Sequence, residues 1–295
     1  CRQSAGGHTA SAYRPYGSGT TSVRRRFGAG KSERFRMGYP VIISNSVAIE
    51  PRYFGSVAYY AAVAACANAR IAKGLLYDKR AKQIHRTSVV DTNGPVTLTL
   101  PVGKPHGIPR ATWADVPLSA HGNWWHVHLV TLESAYSRTP FFEFYIDRLL
   151  PYFCADTVEA FTSVQASLTS LDALIRSILS ITTPAELTCP PSSGLSRLSP
   201  ASASADMADE SGHHPSAISP AFAALERDMA SLAAEPYYQL RASRLGFCPN
   251  QSVLDLIFSL GPEAPLYLSS LISSHTASST CCSVSSRHDE PSVKL

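Results

Sequence analysis

The chain is short of charge. Asp, Glu, Lys and Arg make up 16% of its 295 residues, against a usual share of about 25%. Zinc-ribbon and dithiol-redox patterns are missing: there is no C-x-x-C, and none of Cys1, Cys66, Cys154, Cys189, Cys248, Cys281 and Cys282 stands at zinc-ligand spacing from histidines. Seven is also an odd number, which speaks for a reduced, cytosolic chain rather than a disulfide framework. The glycines of a dinucleotide fingerprint and of a phosphate loop are absent, as is any His-x-Gly-His. Cradling of phosphate by backbone N–H groups is therefore not indicated, and nucleotidyl transfer is disfavoured. No apolar run approaches the roughly 18 residues that a membrane-spanning helix needs, so membrane insertion is not expected. The first 36 residues lack the apolar central region of a secretory signal.

What is present is unevenly spread. Residues 1–36 hold seven Arg, one Lys and one Glu, net +7, and the other 259 residues hold 18 basic and 21 acidic groups, net −3. The body is mildly acidic, so the overall +4 is no argument for a nucleic-acid partner. Residues 1–36 read as a disordered basic segment: an arm, an organelle-type transit peptide, or translated sequence upstream of a start at Met37. A Ser, Pro, Ala and Thr stretch at about 181–220, containing His213 and His214, and a Ser-rich tail from about 269 to 295 also read as disordered.

The ordered part begins with a run of β-branched residues, Tyr39 to Ser44, read as a buried strand. A loop through Pro51 follows, then an Ala-rich helix from Ser56 to Asn68 with Ser56 as N-cap, then a strand near Ala69–Lys73. That order is a βαβ unit and predicts an α/β fold with a mixed, partly parallel, Rossmann-like sheet flanked by helices and a helical C-terminal part. Ligands in such sheets bind beyond the carboxyl ends of the strands, which points to the Ser44–Phe54 loop. Asp91-Thr-Asn-Gly-Pro is a turn ahead of the alternating strand Val96–Val102, and the two make a hairpin. Asp156–Ser180 reads as one long helix with apolar positions spaced by three and four, and Ala221–Ala234 as a shorter one.

The clearest pattern is His121–Tyr145, HGNWWHVHLVTLESAYSRTPFFEFY. Trp124, His128, Leu132, Ala135 and Tyr136 share one helical face, and Pro140 ends the helix. This stripe is either the wall of a polar ligand site or an ordinary buried face with satisfied polar tips. The basic cluster Lys79, Arg80, Lys82, His85 and Arg86 is either a solvated face or a clamp for an anionic ligand. In GFCPNQSVLDLIFSLGPEA, Asn250 or Ser252 caps a helix that Gly261 and Pro262 stop. Asp255 lies among its apolar positions, as a far-face surface residue or as a carboxylate aimed at a site.

These two peptides resemble the H-x-x-W-x-x-x-H…SAY…PFF segment and the F-x-P-N-x-S-x-x-D-L-L-F-x-x-G-P-E signature of the WbqC-like protein family, in order, with the resemblance running from about Tyr39 to Leu268. The chain departs from the family at its first loop, where only part of Q-P-x-Y-x-P-x-x-G-Y-F survives in Ile49-Glu50-Pro51-Arg52-Tyr53-Phe54-Gly55-Ser56-Val57-Ala58-Tyr59-Tyr60, and at His85-Arg86, where Asn-Arg is usual. The resemblance implies a cytosolic enzyme of surface-polysaccharide (O-antigen-like) precursor metabolism, an acyl or aminoacyl transferase on a nucleotide-activated amino sugar, an anionic small-molecule substrate. The alternative is a non-catalytic binding or scaffold protein of the same pathway. On the first reading Lys82 and Arg86 hold phosphates, Trp124 and Tyr136 stack on base or sugar, His121 or His128 is the general base, and Asn250 and Asp255 orient the substrate. The sequence names no cofactor, and sets neither donor nor oligomeric state.

Overall fold

Strand β1 is Ile43–Ile49, helix α1 is Val57–Ala64 and strand β2 is Cys66–Ala72, with β1 and β2 parallel. This computed structural model describes residues 38–72, 74–105, 107–182, 187–188 and 219–284. The βαβ unit expected from the sequence is therefore present, with its boundaries moved. The first strand starts four residues later than Tyr39, because Val47, Ala48 and Ile49 are the residues that reach the core, while Ser44–Ser46 lie exposed within the strand. Helix α1 is buried on every side and shorter than expected, since Cys66–Asn68 already pair with β1. Ser56 caps it, its Oγ accepting from Tyr59 N at 3.2 Å.

Helix α2 is the short turn Lys82–His85, and β3, Arg86–Asp91, leads through a two-residue turn into antiparallel β4, Gly94–Thr99. Gly94 sits at φ +123°, which explains glycine at this turn. The stripe helix is α3, Trp124–Tyr136, and its buried residues are Trp124, His128, Leu132, Ala135 and Tyr136, the face that periodicity assigned. Helix α4, Phe142–Leu149, runs into a 3-10 turn at Leu150–Phe153.

The long helix expected over Asp156–Ser180 is two: α5, Ala155–Ala160, and α6, Val164–Ile178. Phe161 leaves the helical region, Ser163 caps α6 by accepting from Ala166 N, and Val164 N is taken by Val116 O. Within the expected disordered insertion, Leu187–Thr188 forms β5, parallel to β2. Helix α7 is Pro220–Leu232, α8 is Ala242–Leu245 and α9 is Val253–Leu260. Helix α10, Ala264–Val284, crosses much of the Ser-rich stretch that composition marks as loose, anchored by buried Leu268, Leu271 and Ile272. Residues 1–37, 189–218 with His213 and His214, and 285–295 lie outside the described residues.

The fold is thus mixed α/β with a small parallel sheet in the order β1-β2-β5 and a helical C-terminal part. Among the described residues the β3–β4 hairpin forms its own two-stranded sheet, so the parallel portion goes no further than this one βαβ unit and a two-residue strand. A Rossmann-like arrangement is an expectation the observed topology does not fill. No described helix is long and apolar enough to cross a membrane.

Candidate functional site

The two signature peptides meet across β3. Tyr136, at the end of α3, accepts from Val90 N at 3.1 Å and donates its hydroxyl hydrogen to Asp255 on α9. Asp255 is 2% exposed and also accepts from Tyr237 Oη and, at 2.7 Å, from Gln239 Nε2. Burial pushes the Asp255 carboxyl up, and the donors Tyr237, Gln239 and Tyr136 oppose it. The ring of Tyr136 lies 5.3 Å from that of Phe258, and Phe141 N donates to Phe258 O. Asp255 is therefore not a far-face surface residue, and the Tyr136 ring packs against Phe258. A shallow cleft borders the junction, lined by Val90, Tyr136, Gln239, Arg241 and Asp255 among others.

The second signature is stapled to the first loop as well. Ser252 N donates to Ser88 O, Val253 N to Gly55 O and Val57 N to Gln251 O. Asn250 sits at φ +49°, and its Oδ1 accepts from Ala58 N at 3.0 Å. It thus bonds the first turn of α1, while Ser252 caps its own helix α9. Both polar residues close helix termini.

Trp124 and His128 come together with ring centroids 5.2 Å apart. The indole Nε1 donates to Ser119 O at 2.8 Å. His128 Nδ1 meets Tyr53 Oη at 2.9 Å, and the imidazole also donates to the Thr99 carbonyl. With one nitrogen donating to a carbonyl, Nδ1 is the acceptor from Tyr53. Burial lowers the His128 pKa to about 4. The ring is neutral at pH 7, with both nitrogens engaged in this conformation. His121, by contrast, is exposed in the turn before α3, where its backbone N–H donates to Ser119 Oγ. Lys82 and Arg86 are exposed too, on α2 and at the start of β3.

The carboxyl end of β1, the place that the βαβ order marks, holds a charged cluster that no local sequence pattern signals. Arg52 lies between two carboxylates: Nε donates to Glu50 Oε1 at 2.9 Å, Nη2 to Glu226 Oε2 at 2.9 Å, and Nη1 to Glu226 Oε1. Its guanidinium sits 4.5 Å from the centroid of the Tyr59 ring. Burial alone would lower the Arg52 pKa, but Glu50 and Glu226 outweigh it and hold it above its ordinary value. Gln83 of α2 donates to Glu50 Oε2 at 3.3 Å, which ties the basic segment to this loop. Tyr53 N donates to Ile84 O and Leu100 N to His85 O, while Ser119 N donates to Pro101 O, so the first loop, α2 and the turn before α3 are linked by backbone. Glu50 and Arg52 were legible only as members of a loop at a strand's carboxyl end; Glu226 lies 174 positions from Arg52 and had no local signal.

The predicted residues thus fall into two groups. Trp124, His128, Tyr136, Asn250 and Asp255 make hydrogen bonds within the fold. His121, Lys82 and Arg86 face solvent on segments linked to the Glu50–Arg52–Glu226 cluster. Comparisons with curated proteins and with solved structures give no match. The model of the WbqC-like protein family matches residues 50–267, a span that begins at Glu50 and takes in both signature peptides, and the chain belongs to that family.

Proposed function

We propose that the protein takes a nucleotide-activated amino sugar, in the metabolism of a surface-polysaccharide precursor, at the face formed by the Glu50–Phe54 loop, α2 and the turn before α3. The single observation that carries this reading is the Glu50–Arg52–Glu226 cluster at the carboxyl end of β1. Buried ion clusters cost desolvation and are weak stabilisers, so their retention where α/β sheets receive ligands suits a binding role. The cluster carries one more negative than positive charge, which matches a sugar ammonium. Lys82 and Arg86 on the adjoining segment match the phosphates.

On this reading the chemistry is acyl or aminoacyl transfer. The sugar amine, once deprotonated, attacks the carbonyl carbon of an activated acyl donor; the C–N bond forms, the bond to the donor's leaving group breaks, and the amine's second proton passes to a base. His121 is the imidazole placed in solvent for that task. A non-catalytic role holding the same ligand is the second reading, and one observation favours it: His128 has both ring nitrogens engaged inside the fold.

Thermal-shift titration against nucleotide amino sugars tests the binding shared by both readings, since a ligand taken only by the native state raises apparent stability. The expected result is a rise in Tm for the wild type that the Lys82→Ala/Arg86→Ala double variant loses. No rise with any such ligand overturns the proposal. Product formation from an acyl donor, lost in His121→Gln, then separates enzyme from scaffold.

A further inference from the structure

Residues 104–110 stand away from the body of the protein. On one side of them Gly103 N donates to Pro117 O, and on the other Tyr77 N donates to Ala111 O at 2.8 Å and Trp113 N to Leu75 O. Between those anchors no backbone hydrogen bond reaches 104–110 among the described residues. Lys104 and residues 107–110 are exposed, with Ile108 at 47%. Pro105 and Pro109 restrict the backbone and carry no N–H, while Gly107 at φ +73° and Arg110 at φ +57° take the left-handed region. The loop therefore presents one branched aliphatic side chain to solvent, with a cation before it and a cation after it.

Two more cations join from the neighbouring segment. The Tyr77–Ala111 bond and the bridge between Leu76 and Thr112 lay residues 75–77 beside 111–113. Lys79 and Arg80 follow in a turn that Ala81 N closes on Asp78 O, and both are exposed. The two acids of this region cap turns: Asp78 Oδ1 accepts from Arg80 N, and Asp115 Oδ2 accepts from Thr112 N and Oγ1. No salt bridge ties Lys79, Arg80, Lys104 or Arg110 to an acid among the described residues. This basic patch lies on a body whose residues 37–295 are net −3.

Cations around an exposed aliphatic tip fit an anionic bilayer surface. The cations meet the charged headgroups, and the tip enters the boundary below them, where it leaves water. A nucleic acid fits less well, because bases need rings to stack on and the ring at hand, Tyr77, packs edge-on against Trp113 with centroids 4.9 Å apart.

We propose that residues 79–80 and 104–110 dock the protein on an anionic lipid surface, with Ile108 among the headgroups and Lys79, Arg80, Lys104 and Arg110 around it. Lys82 and Arg86 take no part, so this contact stands or falls apart from the sugar phosphates.

The test is sedimentation of the full chain with vesicles of phosphatidylcholine alone and of phosphatidylcholine mixed with phosphatidylglycerol. The expected result is binding to the mixed vesicles only, weakened by salt. Each cation near the surface contributes about fivefold, so Lys79→Ala/Arg80→Ala and Lys104→Gln/Arg110→Asn each lower the partition about 25-fold. Asparagine is used at position 110 because it tolerates positive φ. Ile108→Ser lowers the partition about fivefold. Phe144→Ser, which changes a 74% exposed ring on α4, leaves it unchanged. Residues 1–36 are net +7 and can hold anionic vesicles by charge alone. Binding that none of the three loop variants reduces therefore comes from that segment and overturns the docking. Equal binding to neutral vesicles, or an undiminished partition in Ile108→Ser, overturns it as well. If the mixed vesicles are not bound and single-stranded RNA is retained until the charge variants remove it, the patch is a nucleic-acid surface and the proposal fails.

Discussion

Replacing Tyr136 with Phe removes one oxygen from the junction of the two signature peptides and almost nothing else. Tyr136 is 2% exposed, so no water takes the place of the lost hydroxyl without repacking. Two things happen at once. Val90 N loses the acceptor it holds at 3.1 Å, and Asp255 loses one of its donors. An orphaned buried N–H costs about 1–3 kcal/mol, and a hydrogen bond to a charged group contributes about 1.5–3 kcal/mol. The two share one oxygen and are not additive, so the expected loss is about 2–4 kcal/mol. In urea unfolding with a slope of about 3 kcal/mol per M, the midpoint falls by roughly 1 M. A second signature follows from charge: with one opposing donor gone, burial raises the Asp255 carboxyl further. A group whose folded pKa lies above its unfolded value makes the folded state bind more protons between the two. Stability contributed by Asp255 therefore falls as pH rises through that window, and Tyr136→Phe deepens the fall. Asp255→Asn in the same background removes the pH term. A Tyr136→Phe protein that unfolds within about 0.5 kcal/mol of the wild type, an ordinary value for surface changes, would refute the view that this residue is a clamp.

Three further outcomes are expected. Gly261 sits at φ +53°, and a Cβ built there lies 2.4 Å from Phe141 Cγ, so Gly261→Ala should cost at least about 2 kcal/mol from backbone and clash together, read as a drop in Tm. His128 has a folded pKa of about 4 against about 6.5 unfolded, so stability it supports at pH 7 is lost as pH falls from 6.5 toward 4, up to about 3 kcal/mol; paired urea titrations at pH 7 and pH 4.5 should show a loss that His128→Gln lacks. Arg52→Met leaves Glu50 buried without its cation and should cost about 3–5 kcal/mol, with partial recovery in Glu50→Met/Arg52→Met by thermal melt.

The five-residue face of α3 was readable because a helix with one buried side writes that side into the sequence every three or four residues. The Ser56 cap and the Gly261 stop were readable for a similar reason, since local backbone geometry selects few residue types. Where β1 begins was not: Tyr39–Ile42 are as strand-forming as Val47–Ile49, and only pairing with β2 decides between them. The interruption of the Asp156–Ser180 stretch depends on Val164 N finding Val116 O, a contact with no local trace. Asn250 carried a plausible cap signal for its own helix, yet serves α1, 192 positions earlier. The same distance hides the site. Away from that site, Asp172 and Arg176 form a buried charge pair four residues apart on α6, and nothing near them in sequence predicts that Tyr60 donates to Asp172. Glu226 and Gln239 acquire meaning only when the chain brings them to Arg52 and Asp255.

In the proposed function, ligand contact lies at the carboxyl end of β1, while the signature junction holds the fold together. Hydrogen exchange by mass spectrometry, with and without a saturating nucleotide amino sugar, reads both at once. Protection gathered in peptides covering 50–54, 80–86 and 119–123, with 237–255 unchanged, is the predicted footprint. Protection centred on 237–255 and the end of α3, with 50–54 and 80–86 unmoved, contradicts it.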